Sequence, residues 1–428
     1  MTALSPVWRH VAKVGILPLR TARNDTFGVY VHVPFCVTRC GYCDFNTYTP
    51  GELGIPQRAS LAVDAPRRSS ASLSPSQRLS SPVLQYLDAL ERELARATER
   101  FRLPAADTVF IGGGTPSLLG ADGLTRIVNA VRSSMGITPH AEVTTESNPE
   151  STSPEFFAAL RKAGFTRVSL GMQSVSEKVL AVLDRRHTPG RPVTAAQEAR
   201  AAGFDHVNLD LIYGTPGETD DDVRRSVDAV LEAGVDHVSA YSLIIERGTA
   251  MARKVRRGEV EETDEDTLAR RYDLIDQRLT SDGLRWYEVS NWACPGGECR
   301  HNLVYWRDGD WWGAGPGAHG HLGDQRFVNV KHPARYAAMI CQSDETLPLK
   351  DIENLTSEER HEERVMLALR LAEGMDVDHL SSSAAAKAEE FITDGLLWRP
   401  SPNRIAVTDR GRLLADGIIT DILVSDDT

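Results

Sequence analysis

A short pattern occurs three times in this chain, and it restricts the fold more than any other feature of the sequence. An alanine followed by Gly164, Gly203 or Gly234 comes three to four residues before a short apolar run. A glycine directly after a helix is typical of a left-handed C-cap, and runs rich in valine and leucine are typical of buried strands. The pattern therefore predicts that helices and strands alternate along the chain.

Six apolar runs fit this alternation, and we predict that each forms one strand. They are residues 29–33, 109–111, 143–146, 168–170, 207–209 and 238–240. Because alternating strands and helices form parallel sheets, the predicted fold is α/β, a partial (β/α)6 TIM-like barrel. In such barrels the chemistry lies at the C-terminal ends of the strands, which is where the polar residues of this chain are concentrated.

Three cysteines follow the first predicted strand, with the spacing Cys36-x3-Cys40-x2-Cys43. Thiolates are soft ligands that suit iron–sulfur clusters, and a loop allows several of them to reach one cluster. A [4Fe-4S] cluster held by three cysteines keeps one iron free for another ligand. Because three is an odd number and nothing else suggests secretion, a disulfide framework is disfavoured. We therefore predict a [4Fe-4S] cluster on these residues.

The composition excludes several classes of function. The sequence has no run of about 18 apolar residues, as a membrane-spanning helix would need, and no signal-peptide pattern near Met1. The formal net charge of −12 argues against general nucleic-acid binding, which requires basic surface to neutralise phosphates. These features predict a cytoplasmic globular protein that does not bind nucleic acid.

Several motifs resemble one known family. The cysteine motif has an aromatic residue, Tyr42, before its last thiol, and the segments at 32–36, 112–116, 169–174 and 210–214 match as well. The chain thereby resembles the radical S-adenosylmethionine (SAM) superfamily, and within it the branch of oxygen-independent coproporphyrinogen III oxidases and their heme-chaperone relatives. The resemblance covers about 29–306 and a C-terminal module. It implies that SAM chelates the free iron of the cluster.

The same resemblance implies which residues hold SAM. They are Tyr30, Tyr42, Gly113, Gly114, Thr115, Glu146, Gln173, Arg185 and Asp210. The glycines would let the backbone approach the methionine end of SAM, Arg185 would pair with a carboxylate, and Glu146 would accept from a ribose hydroxyl or ammonium. Some of them also have a structural interpretation: the glycine run as a tight turn, Tyr30 as a core residue, and Arg185 as a solvated helix end.

Two features separate the oxidases of this branch from the chaperones. Oxidases carry a fourth cysteine where this chain has Phe45, and the His-Asn-x-x-Tyr-Trp motif at 301–306 is associated with the chaperones. The resemblance therefore favours a heme chaperone that delivers heme to acceptor hemoproteins, including membrane-associated respiratory proteins. The alternative is radical decarboxylation of coproporphyrinogen III, so the sequence leaves open whether the protein is an enzyme. His301 is a candidate heme ligand, or a histidine that packs structurally against Trp306.

The predicted domains follow from changes in composition. Residues 1–27 form an N-terminal extension, 28–250 the barrel, 251–350 a connecting segment with the His301 motif, and 351–428 a winged-helix-like helical domain. A Ser/Pro-rich stretch at 49–81 is predicted to be a disordered insertion in the barrel. The last domain carries 17 acidic against 8 basic residues, a net of −9, so we expect it to contact protein rather than DNA. The sequence does not predict the oligomeric state.

Overall fold

The computed structural model describes residues 26–53 and 82–426. The predicted N-terminal extension, 1–27, therefore lies outside the described residues except at its last two positions. Most of the predicted insertion at 49–81 also lies outside them. The helix expected after that insertion is present and begins at Pro82.

The strands, in chain order, are β1 Phe27–Val33, β2 Ala106–Gly113, β3 Ile137–Ser147, β4 Arg167–Gln173, β5 His206–Tyr213, β6 His237–Ser242, β7 Arg285–Glu288, β8 Asn291–Ala293, β9 Asp310–Ala314, β10 His319–Leu322, β11 Gln325–Asn329, β12 Leu349–Asn354, β13 Met375–Asp376, β14 Leu397–Ser401 and β15 Arg404–Val407. The α-helices are α1 Pro82–Phe101, α2 Gly120–Ser134, α3 Pro154–Ala163, α4 Glu177–Val182, α5 Arg191–Ala201, α6 Asp220–Ala233, α7 Ala250–Arg256, α8 Glu265–Ser281, α9 Arg300–Trp306, α10 Pro333–Gln342, α11 Ser357–Ala368, α12 Ser382–Thr393, α13 Asp409–Arg412 and α14 Ala415–Asp426. Short 3-10 turns occupy Pro116–Leu119, Pro149–Ser151 and Val377–His379.

The six predicted strands form the centre of one large sheet. Strands β1 to β6 lie side by side in chain order and every neighbouring pair is parallel, as the alternating pattern predicted. The helix ends agree with the pattern too, since Gly164 and Gly234 cap their helices with φ of 102° and 66°. Thr219 forms a capping box with Asp222 at the start of α6. Local capping chemistry therefore sets the limits of the repeating units.

The segment 251–350, predicted as a connection, supplies strands to both edges of this sheet. Strand β9 pairs in parallel with β1, and β10 and β11 continue beyond it with antiparallel pairing. Strand β12, which runs past position 350, pairs antiparallel with β11 at this edge. At the opposite edge, β8 pairs antiparallel with β6, and β7 pairs with β8. The domain limits at 250 and 350 stay a prediction, but these strands join the same sheet as the barrel.

The C-terminal residues build a small module with a core of its own. Strands β13, β15 and β14 form an antiparallel sheet that packs with α11, α12 and α14, and its core includes Val365, Ile405 and Ile422. Arg412 joins the module to the barrel, because its guanidinium lies 4.8 Å from the Trp286 ring and pairs with Asp276 at 2.9 Å. Within the described ranges, no helix has the length and apolarity needed to cross a membrane.

Candidate functional site

The parallel strands surround one large cavity of about 1640 Å³, which reaches the C-terminal ends of β2, β3, β4 and β6. Every residue predicted to bind the cluster, SAM or heme contributes to its lining. These residues are Tyr30, Cys36, Cys40, Tyr42, Cys43, Gly113, Gly114, Thr115, Glu146, Gln173, Arg185, Asp210 and His301. The barrel thus brings together side chains that are up to 271 positions apart in the sequence (30 to 301). Their individual roles stay predictions.

The cysteine loop is held in place by backbone hydrogen bonds to distant segments. The Cys36 amide donates to the Tyr48 carbonyl at 3.1 Å, which closes the loop on itself. The Gly41 amide donates to the Leu183 carbonyl at 3.2 Å, and the Gly41 carbonyl accepts from the Met251 amide at 2.7 Å. The loop therefore has a defined path although it contains little regular structure.

The three thiols share one electrostatic environment in the cavity wall. Burial raises the pKa of Cys43 to about 11, a backbone hydrogen bond at Phe45 opposes the rise, and nearby Cys40 and Cys36 add to it. No group of three ligating side chains in the described part of the chain is arranged for a single metal ion. A [4Fe-4S] cluster spaces its thiolates more widely than one ion does, and its iron charge favours thiolate over thiol. Three thiols in the lining of one cavity are a donor set of the kind that such a cluster uses.

The glycine run at the end of β2 packs closely against the start of the cysteine loop. A Cβ on Gly114 would lie 2.5 Å from the Phe35 carbonyl oxygen, and one on Gly113 would lie 2.5 Å from the His32 ring. The Gly114 amide also donates to the Val33 carbonyl at 2.8 Å. These glycines are thus required by the protein's own packing, in addition to any approach to SAM.

Two carboxyl groups, Glu146 and Asp210, lie close together in the cavity. Burial and the neighbouring Asp210 raise the pKa of Glu146 to about 8, although its Oε2 accepts from the Gly113 amide at 3.0 Å. Burial also raises the pKa of Asp210, against hydrogen bonds from Ser169 at 3.1 Å and Asn208 at 2.6 Å. A pair of enclosed acids favours a cationic ligand, because a positive charge would offset their mutual repulsion.

Arg185 is positioned to bind an anion in the same cavity. Its Nη1 lies 3.5 Å from the Cys40 sulfur and its Nη2 donates to the Gly171 carbonyl at 3.2 Å. Its buried Nε has no hydrogen-bond partner among the described residues, and a buried donor without a partner is costly. A SAM carboxylate would supply that partner, so this part of the site fits the cofactor.

The backbone beside Arg185 adopts an unusual conformation. Gln173, at the end of β4, has a φ of 68°, which is the left-handed region that side chains other than glycine rarely enter. Gly171 leaves room for this arrangement, since a Cβ there would lie 2.8 Å from Arg185 Nη2 and 2.9 Å from Gln173 Nε2. Strain of this kind is found where a side chain must be aimed at a ligand.

Tyr30 and Tyr42 both face the cavity, but their surroundings differ. The Tyr30 hydroxyl hydrogen-bonds to His32 Nδ1 at 2.9 Å, and its ring stacks 6.3 Å from that of Phe110. Tyr30 therefore lines the cavity, as the family resemblance predicted. It also packs against Phe110, as expected if it were a core residue. Tyr42 packs against a separate small apolar cluster that includes Leu183 and Met251.

Both ring nitrogens of His301 are occupied by protein partners. Nδ1 lies 2.8 Å from the Thr108 hydroxyl, Nε2 lies 2.7 Å from the Tyr305 hydroxyl, and the ring stacks on Phe110 at 5.3 Å. The residue is 1% exposed, and burial lowers its pKa to about 4. To bind heme iron, Nε2 would have to release Tyr305, so these contacts favour a structural role for His301. Its partners are Thr108, Tyr305 and Phe110, whereas the structural alternative named Trp306.

Sequence reasoning missed a polar network beneath Asp210. Asn208 donates to Ser169 at 2.7 Å and to Ser239 at 3.0 Å, and its Oδ1 lies 2.7 Å from His237 Nδ1. Asn208 and Asp210 occupy alternate positions on β5 and therefore point to the same face. Polar residues at every second position of a predicted buried strand were the signal that could have revealed this network.

Glu146→Gln should change how stability depends on pH. Because the pKa of Glu146 is raised to about 8, folding favours its protonated form, and the protein loses stability as the pH rises from about 4.5 to about 8. Glutamine cannot ionise and can still accept from the Gly113 amide. We expect the variant to gain stability relative to the wild type between pH 5 and pH 8, on the order of a few kcal/mol. Denaturant unfolding of the SAM-free wild type and variant at pH 5 and pH 8 measures this gain. If the variant and the wild type differ in unfolding free energy by the same amount at both pH values, the prediction is contradicted.

Comparison with known proteins places this site in a family. The profile of the Radical SAM superfamily matches residues 30–230, and that of the HemN C-terminal domain matches residues 355–414. A solved structure of the Escherichia coli coproporphyrinogen III oxidase HemN, described as a radical SAM enzyme, superposes with a TM-score of 0.74. It covers 98% of this chain and 93% of that one at 22% identity, which confirms the predicted fold.

Relatives with higher sequence identity make the assignment more specific. The chain is 54% identical to the heme chaperone HemW of Mycobacterium tuberculosis over 96% of its own length and 98% of the relative's. It is 30% identical to the heme chaperone HemW of Bacillus subtilis, over 91% and 97% of the two chains. This chain belongs to the HemW family of heme chaperones, within the radical SAM superfamily.

Proposed function

We propose that this protein binds heme and delivers it to acceptor hemoproteins, and that Cys36, Cys40 and Cys43 carry a SAM-binding [4Fe-4S] cluster. The observation that carries the proposal is Phe45, two residues beyond the third cysteine. Its side chain lines the cavity and is 60% exposed, at the position where the oxidases have a further thiol. An apolar ring there cannot ligate a metal and is suited to contact with a porphyrin.

The residues around the proposed cluster site carry opposite charges, and each group would bind the part of SAM with the complementary charge. Arg185 would pair with the SAM carboxylate through its unpartnered Nε, and Glu146 and Asp210 would face the cationic part of the cofactor. When bound, the cluster and SAM supply reductive one-electron chemistry. Gln173, which lines the cavity with a φ of 68°, would help to orient the cofactor.

The proposal extends to the partners and location of the protein. The acceptors would be hemoproteins, with membrane-associated respiratory proteins among them, and the acidic C-terminal module would contact protein rather than nucleic acid. A cytoplasmic location is proposed because thiolate ligands such as those of Cys36, Cys40 and Cys43 persist in a reducing compartment.

Two assays on the anaerobically reconstituted protein test this function. In the first, hemin is added and the heme-loaded protein is mixed with an apo-cytochrome, and we expect a shifted Soret band followed by transfer. In the second, coproporphyrinogen III, SAM and a reductant are supplied, and we expect no protoporphyrinogen. Protein prepared without iron serves as the control that separates heme binding from the cluster. An unshifted Soret band would contradict heme binding, and protoporphyrinogen formation would support the oxidase alternative.

A further inference from the structure

We propose that the heme lies across the mouth of the cavity, with His187 as its iron ligand and its porphyrin ring on an apolar rim. The rim is defined by Val37, Phe45 and Ile244. This inference rests on the proposed heme function and specifies its site. It assigns the heme to residues outside the 301–306 motif.

The rim consists of three large apolar side chains that remain in contact with water. Val37, Phe45 and Ile244 are 59%, 60% and 66% exposed, and all three line the cavity. They come from two separate segments, the cysteine loop and the loop that follows β6. Exposed apolar side chains that line one cavity are typical of a binding surface for an apolar ligand.

The size of the cavity is consistent with a second ligand beside SAM. A pocket for one drug-sized molecule is commonly about 300–1,000 Å³. This cavity measures about 1640 Å³ and is therefore larger than one such ligand needs. A flat porphyrin at the mouth would cover the rim without displacing groups such as Glu146 that lie deeper inside.

Three histidines line the cavity, and their hydrogen bonds distinguish them. His301 is bound at both nitrogens by Thr108 and Tyr305. His237 is bound at both by Asn208 and Tyr287.

His187 differs, because neither of its ring nitrogens has a hydrogen-bond partner among the described residues. Burial, with a contribution from Arg185, lowers the pKa of His187 to about 4, so the imidazole is neutral and can donate a lone pair to iron. Both nitrogens are covered in the present conformation. The half-buried side chain must therefore turn to present one of them to the iron.

The charge next to His187 suits the anionic edge of heme. Arg186 is exposed and lines the cavity, and its guanidinium forms no hydrogen bond or ion pair within 26–53 and 82–426. Arg39, also at the cavity, is instead paired with Glu52 at 3.2 Å. A free guanidinium is well suited to a heme propionate, since it can bind a carboxylate through two donors.

Hemin titration of single variants of the full-length, reconstituted protein tests the site. We expect His187→Ala to lose the imidazole-type Soret and EPR signature and about tenfold in hemin affinity, and added free imidazole to restore the signature. His301→Ala should keep it. Ile244→Ser should weaken hemin binding by about tenfold without loss of iron content. The control Leu414→Ser changes an exposed leucine of the C-terminal module, which does not line the cavity, and it should bind hemin normally.

The outcomes separate this inference from the proposed function. A wild-type protein that fails to bind hemin overturns both. If the wild type binds hemin, a normal signature in His187→Ala overturns the inference alone, and its loss in His301→Ala would assign the iron to His301 instead. A normal affinity of Ile244→Ser for hemin would overturn the assignment of the porphyrin ring to the rim. The iron content and SAM binding of each variant show whether that variant has folded. If His187→Ala does not fold, Ile244→Ser still tests the proposed heme position independently.

Discussion

Cys40→Ala is expected to abolish the iron–sulfur chromophore of the reconstituted protein. If Cys36, Cys40 and Cys43 are the three protein ligands, the variant leaves two irons without a thiolate, and a four-iron cluster is not stable with so few protein ligands. Cys40 is the thiol beside Arg185, so its loss also removes the neighbour that links the cluster to the proposed SAM carboxylate site. The measurement is anaerobic reconstitution followed by visible absorption and by iron and sulfide determination.

The matched control for this variant is Cys341→Ala. Cys341 is an exposed free cysteine on the helix Pro333–Gln342 and does not line the cavity. It should keep the full iron content and an unchanged spectrum. A Cys40→Ala protein with four irons per chain and a wild-type spectrum would refute the ligand assignment.

Arg185→Met is expected to reduce SAM affinity by roughly 10- to 100-fold. A hydrogen bond to a charged group contributes about 1.5–3 kcal/mol, and each 1.4 kcal/mol is a factor of ten in affinity. Methionine keeps much of the length and volume but provides no donor for the SAM carboxylate. Anaerobic equilibrium dialysis of SAM against the reconstituted protein measures the loss.

Two comparisons make the result on Arg185 interpretable. Arg278→Ala removes a surface arginine that pairs with Asp228 outside the cavity, and it should bind SAM normally. The iron content of Arg185→Met must match the wild type, because Arg185 also contacts the Cys40 sulfur. Affinity within twofold of the wild type at full iron content would contradict the role of Arg185.

The parts of this protein that could be predicted from sequence are those whose physical cause is local. The helix limits at Gly164 and Gly234 depend on the left-handed conformation that glycine adopts easily, and the start of α6 depends on the capping box of Thr219. The cysteine spacing is local as well. These local signals were sufficient to predict the six parallel strands and the position of the cysteine loop.

Other features of the structure depend on contacts between segments that are far apart in the chain. Strand β9 pairs with β1 across about 280 residues, and its Trp-rich, glycine-containing sequence shows no alternation that would identify it as a strand. The pKa of Glu146 depends on Asp210, which is 64 positions away in the chain (146 to 210). The partners of His301 likewise depend on tertiary contacts, and so does the finding that no residue in 26–53 or 82–426 bonds to the ring nitrogens of His187.

The sequence by itself determined the fold class and the three cysteines, and its resemblance to a known family predicted part of the lining of the cavity. Capping, strand composition and thiol spacing are properties of short segments, so they can be recognised without a structure. Only the tertiary structure decided which cavity histidine has ring nitrogens without a hydrogen-bond partner in the described part of the chain, and which acids have a raised pKa. Hydrogen-bond partners and burial come from residues far apart in the chain, and no local pattern encodes them.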